Sequence, residues 1–141
     1  MRKVAVIGSS GAIGRAFVDH YINDLSVNSI FSFSRSSIGI DNNKVKHFSI
    51  DIENESSIQN AAKSVEEINF DEIIIASGLL HTNEFGPEKS IKDLKADNIL
   101  KILNVNTVGP TIIGKHFLPL LNKNNKSCLL YTSDAADDLR G

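Results

Sequence analysis

The stretch VIGSSGAIGRAF, residues 6–17, carries glycine at every third position: Gly8, Gly11 and Gly14. Glycines spaced this way, after a β-branched run and before a helical pattern, build a backbone cradle for a diphosphate. Gly8 permits the tight turn off the strand. Gly11 lets backbone approach the anion with no Cβ in the way, and Gly14 lets the following helix lie close. The helix start adds N–H groups without helical partners, and Ser9 and Ser10 are expected to add hydroxyl donors. Gly8, Ser10, Gly11, Ile13 and Gly14 are therefore the candidate contacts of this loop. No Gly-Lys-Ser/Thr follows, which excludes a Walker-type phosphate loop.

A second signal lies in FSFSRSS, residues 31–37. Where such a loop holds a dinucleotide, the end of the second strand meets the adenosine ribose, and a carboxylate there would accept from the 2′-hydroxyl. This chain offers Ser34 and Arg35 instead. A guanidinium suits a 2′-phosphate, so NADP is expected in preference to NAD. Asp41 stands too far along to supply the missing carboxylate. The four histidines, His20, His47, His81 and His116, show no metal-ligand spacing with one another or with the single cysteine, Cys128, so no metal is expected.

Alternating strands and helices must position these residues. Lys3 to Ile7 is a compact β-branched run, the mark of a strand buried on both faces. Ile13, Ala16, Phe17 and Tyr21 then fall on one helical face. Ser29 to Ser34 and Val45 to Ile50 are further strands, the former weakened by its serines. Ile58, Ala61, Ala62 and Val65 give residues 56–65 one apolar helical face. Asp71 to Ala76, with three consecutive isoleucines, is the clearest strand. Residues 91–122 are helical with Gly109-Pro110 in the middle, where proline starts a new helix or kinks a continuing one. Residues 127–132 make a fifth strand. The link from Leu80 to Lys89 is the longest loop and a natural rim for a site. The sum is an α/β fold, a doubly wound and mostly parallel sheet.

Composition sets the outer limits. The chain has 141 residues, 41% hydrophobic and 23% charged, with net charge −2, which suits one small domain and argues against a nucleic-acid or membrane-surface partner. Trp is absent and aromatics are 6%, so aliphatic side chains are expected to build the core. No apolar run reaches membrane-spanning length, and the apolar run after Met1 is too short for a signal-peptide core. Cytoplasmic residence is the default.

Over residues 1–127 these patterns resemble the short-chain dehydrogenase/reductase family. The resemblance implies a Rossmann-type sheet, incomplete here, with the first four strands plus a spurious fifth. DIENESS resembles the family's Asp-hydrophobic pair, which implies that Asp51 and Ile52 flank the adenine. IIIASGLLH stands where the family has Asn-Asn-Ala-Gly. Ile75 and Ala76 replace both asparagines, while Ser77 and Gly78 keep the small residues that let backbone pass the cofactor. ILNVNTVGPTIIGKHFLPLL resembles the helix that carries the family's active-site asparagine, which implies that Asn106 sits at a helix irregularity and helps hold a water in the proton relay. The run from Gly86 to Pro110 is most similar to the subgroup of the C-factor signalling protein. The glycine spacing is that of extended members, which include epimerases and dehydratases.

The family's activity is hydride transfer between a nicotinamide and a carbonyl or alcohol carbon of a small molecule, in proteins expected to be homo-oligomers. It needs a Tyr with Lys at the fourth position after it, the cation favouring phenolate. Tyr21 is followed at that position by Leu25 and Tyr131 by Ala135. This chain is thus expected to bind NADP without turnover, as the cofactor half of a longer reductase. Two other readings are a non-catalytic NAD(P)-binding sensor or signalling protein and an extended-type epimerase or dehydratase. Residues 128–138, CLLYTSDAADD, resemble without a break the translation of a transposon-derived sequencing adapter, which implies that 128–141 is a tail foreign to the 1–127 domain. Ser133 then aligns with the family's catalytic serine by chance. In this reading the far side of the fourth strand depends on the tail, whose Leu129, Leu130 and Tyr131 have good strand character, or on nothing, which would leave Ile73 to Ile75 along an open edge. The helix over 107–121 lacks partners for Ile112, Phe117 and Leu121, and the chain is marginally stable and prone to aggregate.

Overall fold

A computed structural model describes residues 1–78 and 88–132. Five strands form one sheet: β1 (Arg2–Ile7), β2 (Val27–Ser34), β3 (Val45–Ser49), β4 (Glu72–Ile75) and β5 (Cys128–Tyr131). Their order is β3-β2-β1-β4-β5, and each neighbouring pair is parallel. The helices are α1 (Ala12–Asn23), α2 (Glu55–Ser64), α3 (Ala96–Leu103) and α4 (Gly109–Phe117), the last two joined by a π-helical segment, Asn104–Val108. This is the expected Rossmann-type α/β arrangement. No helix among the described residues is long and apolar enough to cross a membrane.

The alternation of a strand sorts the core into two faces. Ala5, Ile7, Phe31, Phe33, Ile73 and Ile75 face α2 and α4, where they meet Ile58, Ala61, Ala62, Ile113 and Phe117. Val4, Val6, Ile30 and Ile74 face the other way, onto Val18 and Tyr21 of α1. Continuous apolar strands follow from having both faces covered. Each fully buried side chain of this size contributes about 1.5–3 kcal/mol.

Three expectations are corrected. The core is not purely aliphatic: Phe31 meets Phe70 edge-on at 5.2 Å, Phe33 meets Phe117 edge-on at 5.3 Å, and Phe48 stacks on both Phe31 and Phe33. The few aromatics are concentrated on one face, which an average over the chain conceals. On α1 the buried positions are Gly14, Val18 and Tyr21, whereas Ala16 is exposed; the helix is rotated so that Gly14 meets the glycine loop. Phe117 is fully buried, and Ile112 and Leu121 pack against the same cluster, so α4 keeps its partners. Of the two outcomes for the far side of the fourth strand, the tail takes it: β5 pairs with β4 from Glu72–Cys128 to Ile75–Tyr131.

Candidate functional site

The chain runs from β1 outward to β3, then crosses back to place β4 on the other side of β1. The order reverses between β1 and β4, and a crevice outside the carboxyl ends of the strands opens at such a reversal. A cleft of about 300 Å³ lies there. Its lining includes Gly8, Ser10 and Gly11 after β1, Ser34 and Arg35 at the end of β2, Asp51 and Ile52 after β3, and Ser77 and Gly78 after β4. Nine residues singled out in the sequence thus converge from four strand ends. Ile13 and Gly14 stand behind the loop, Ile13 against the core beneath α1. Asn106 is outside the lining, though its neighbour Val105 is part of it. Leu80, His81 and most of the rim loop, and Ser133, lie outside the described residues.

The glycine loop is held by one carbonyl. The oxygen of Phe33 accepts from Gly8 N at 2.9 Å, Ser9 N at 3.1 Å and Ser9 Oγ at 3.2 Å. Gly8 has φ +90°, and a Cβ there would meet the Ala76 carbonyl oxygen at 2.7 Å, so the turn admits glycine alone. Among the described residues, chain neighbours aside, a Cβ on Gly11 would meet no atom nearer than 3.6 Å, which leaves space beside its backbone. No side chain caps the start of α1, so its first amides stay available to an anion. Ser9 corrects the expectation of two hydroxyl donors. It is fully buried, its hydroxyl committed to Phe33 and to Ser32 at 2.7 Å, and Ser10 alone faces the cleft. Ser32, one of the serines that weakened the case for β2, is thus part of its anchor to the loop.

Each remaining wall has its own chemistry. Ser34 is buried and donates to the Ser36 carbonyl, which shapes the bend that presents Arg35. Arg35 is exposed and has no ion-pair partner among the described residues. The Asp51 carboxylate accepts from Glu53 N at 3.0 Å, fixing the β3–α2 loop. Ser77 is buried, and its hydroxyl finds no hydrogen-bond partner among the described residues. Such an orphan costs about 1–3 kcal/mol unless something polar reaches it.

Asn106 lies within the π-helical segment, so the helix irregularity implied by the resemblance is present. Gly109 N–H donates to Asn104 O, across the five-residue spacing of a π turn. Pro110 has no N–H to offer the carbonyl four residues back, and the Tyr131 hydroxyl donates to that oxygen, Asn106 O, at 2.7 Å. Glu53 and Lys101 also line the cleft, and sequence reasoning passed over both. Their only signal was position, Glu53 next to Asp51-Ile52 and Lys101 on the helix leading to Asn106. Among the described residues no three His, Cys, Asp or Glu side chains gather in a way that could hold a metal ion.

No family model matches the chain, and no curated protein matches it by sequence. Solved structures do. A short-chain dehydrogenase family protein from Francisella tularensis superposes with TM-score 0.78 at 20% identity, over 94% of this chain and 50% of its own. An NADPH-bound carbonyl reductase from chicken fatty liver gives 0.73 at 21% identity, over 85% and 48%. A short-chain dehydrogenase/reductase from Saccharomyces cerevisiae gives 0.76 at 19%, over 97% and 55%. The chain therefore has the fold of these dehydrogenases and reductases and spans about half their length.

Proposed function

We propose that this chain is the cofactor-binding half of an NADP-preferring oxidoreductase of the short-chain dehydrogenase/reductase type. One observation carries the reading: four consecutive parallel strand ends each contribute residues to a single cleft beside the glycine loop. Gly8, Ser10 and Gly11 would hold the diphosphate, Arg35 the 2′-phosphate, and Asp51 with Ile52 the adenine. The orphaned Ser77 hydroxyl and the open space at Gly11 fit a polar ligand lying along this path. The bound nicotinamide supplies or accepts the hydride, and the partner is a small-molecule carbonyl or alcohol. Asn106 would help hold a water of the proton relay. The likeness to an NADPH-bound carbonyl reductase agrees with this choice of cofactor, and we assign the protein to the cytoplasm.

Proton donation is what the chain lacks. Tyr21 donates to Glu72 at the first residue of β4, at the end of the sheet away from the cleft, and neither tyrosine has the paired lysine. Binding without turnover follows. The experiment is a fluorescence titration with NADPH and NADH. NADPH should saturate and bind about tenfold more tightly, the size of one charge-assisted contact. Arg35→Ala should remove that preference. Failure of both coenzymes to saturate would overturn the proposal.

A further inference from the structure

We infer that Glu53 and Lys101 form a clasp across the cleft that retains the adenosine end of a bound dinucleotide. The inference rests on the cofactor reading above and names a retaining contact outside the glycine loop. Lys101 Nζ donates to both oxygens of Glu53, at 2.6 and 2.8 Å, and Asn104 Nδ2 donates to the same carboxylate at 3.3 Å. Glu53 stands on the β3–α2 loop beside Asp51 and Ile52, and Lys101 stands on α3. The bond therefore joins two walls of one cleft. A separate contact lies beyond the π segment: a Cβ on Gly109, the first residue of α4, would lie 3.2 Å from the Ile52 carbonyl oxygen, so the loop that carries Glu53 already lies close to helix backbone there.

The clasp is built to open. No residue of α3 is buried, so apolar packing does little to hold this helix against the loop. The Lys101 and Glu53 side chains are 43% and 27% exposed, and an ion pair in such surroundings contributes little to stability. Its effect lies in access. While the pair is made, the cleft is bridged at the loop that carries Asp51 and Ile52; when it breaks, that end opens. A ligand inside must wait for the break to leave.

Stopped-flow displacement of NADPH from the full chain tests this. Glu53→Gln and Lys101→Met should each speed release about threefold, the scale of an exposed pair, with unchanged melting temperatures. The reversed pair, Glu53→Lys with Lys101→Glu, should return release to near the wild-type rate. If Lys101→Met speeds release while Glu53→Gln slows it, Lys101 acts as a cation attracting phosphate and the clasp is overturned. Variants that release at the wild-type rate overturn it as well, and leave the cofactor reading intact. A wild-type chain that binds no NADPH sinks the cofactor reading itself.

Discussion

The bare Cα of Gly14 rests against the Gly8 carbonyl, so close that a side-chain carbon would come within 2.1 Å of the oxygen. Both partners are backbone, so neither can rotate aside. Gly14→Ala must push α1 away from the loop, at a cost of about 1–3 kcal/mol, and should abolish NADPH binding with it. Gly11→Ala separates the two effects. Its Cβ meets nothing nearer than 3.6 Å, and the gain from a stiffer unfolded chain offsets the poorer N-cap. It should melt like the wild type yet bind NADPH more weakly. Thermal melts paired with titrations check both; a Gly14→Ala chain that melts and binds normally would show that the close approach is not needed.

Ser77 gives an opposite pair of signs. Removing a buried hydroxyl that has no partner among the described residues relieves its desolvation cost, so Ser77→Ala should raise ligand-free stability by about 1 kcal/mol. It should also shrink the rise in melting temperature that NADPH produces, because binding to the native state alone stabilises by mass action. A ligand-free melt below that of the wild type would mean that the hydroxyl already has a partner.

Tyr21 sets an alkaline limit. Burial is the main cause that pushes its phenol above the ordinary 10.0, while Arg2 pulls the other way. A phenol whose folded value is raised stabilises the fold below pH 10 and loses that contribution as pH rises, because the unfolded chain ionises first. Denaturant melts from pH 8 to 11 should show stability falling through this range, with a shallower fall in Tyr21→Phe. Equal slopes in the two proteins would remove Tyr21 from the account.

We propose that residues 128–141 are a tail distinct from the 1–127 domain, yet β5 covers an apolar edge. Cys128 N donates to Asp71 O at 3.0 Å and Thr132 N to Ile75 O at 2.9 Å, while Leu129 packs against the core. A chain ending at residue 127 exposes the β4 edge with its three isoleucines, a template for intermolecular pairing. Light scattering should show concentration-dependent association of that chain. A monodisperse monomer would mean that the edge is protected in another way.

Element order and the walls of the cleft were legible because they rest on local rules. A β-branched run, a glycine needing φ +90° and a 3.6-residue apolar period each declare themselves within a dozen residues. Ser9 was misread because its burial depends on pairing with Phe33 and Ser32, more than twenty residues away. Glu53 and Lys101 stood 48 residues apart, two ordinary surface charges with no pattern between them until the fold brought them together. The π segment had half a signal. Gly109-Pro110 marked an irregularity, but its kind shows only in the folded helix, where Gly109 N–H reaches Asn104 O.

The central claim is that a dinucleotide lies along the ends of β1 to β4. Mapping amide NMR shifts of the full chain during NADPH titration tests it most directly. The largest shifts should fall on Gly8, Ser10, Gly11, Arg35, Ser77 and Gly78, with little change at Ser56 and Asn60, which line a groove between β3 and α2. Saturable shifts centred on that groove, or no shifts at the glycine loop, would contradict the account.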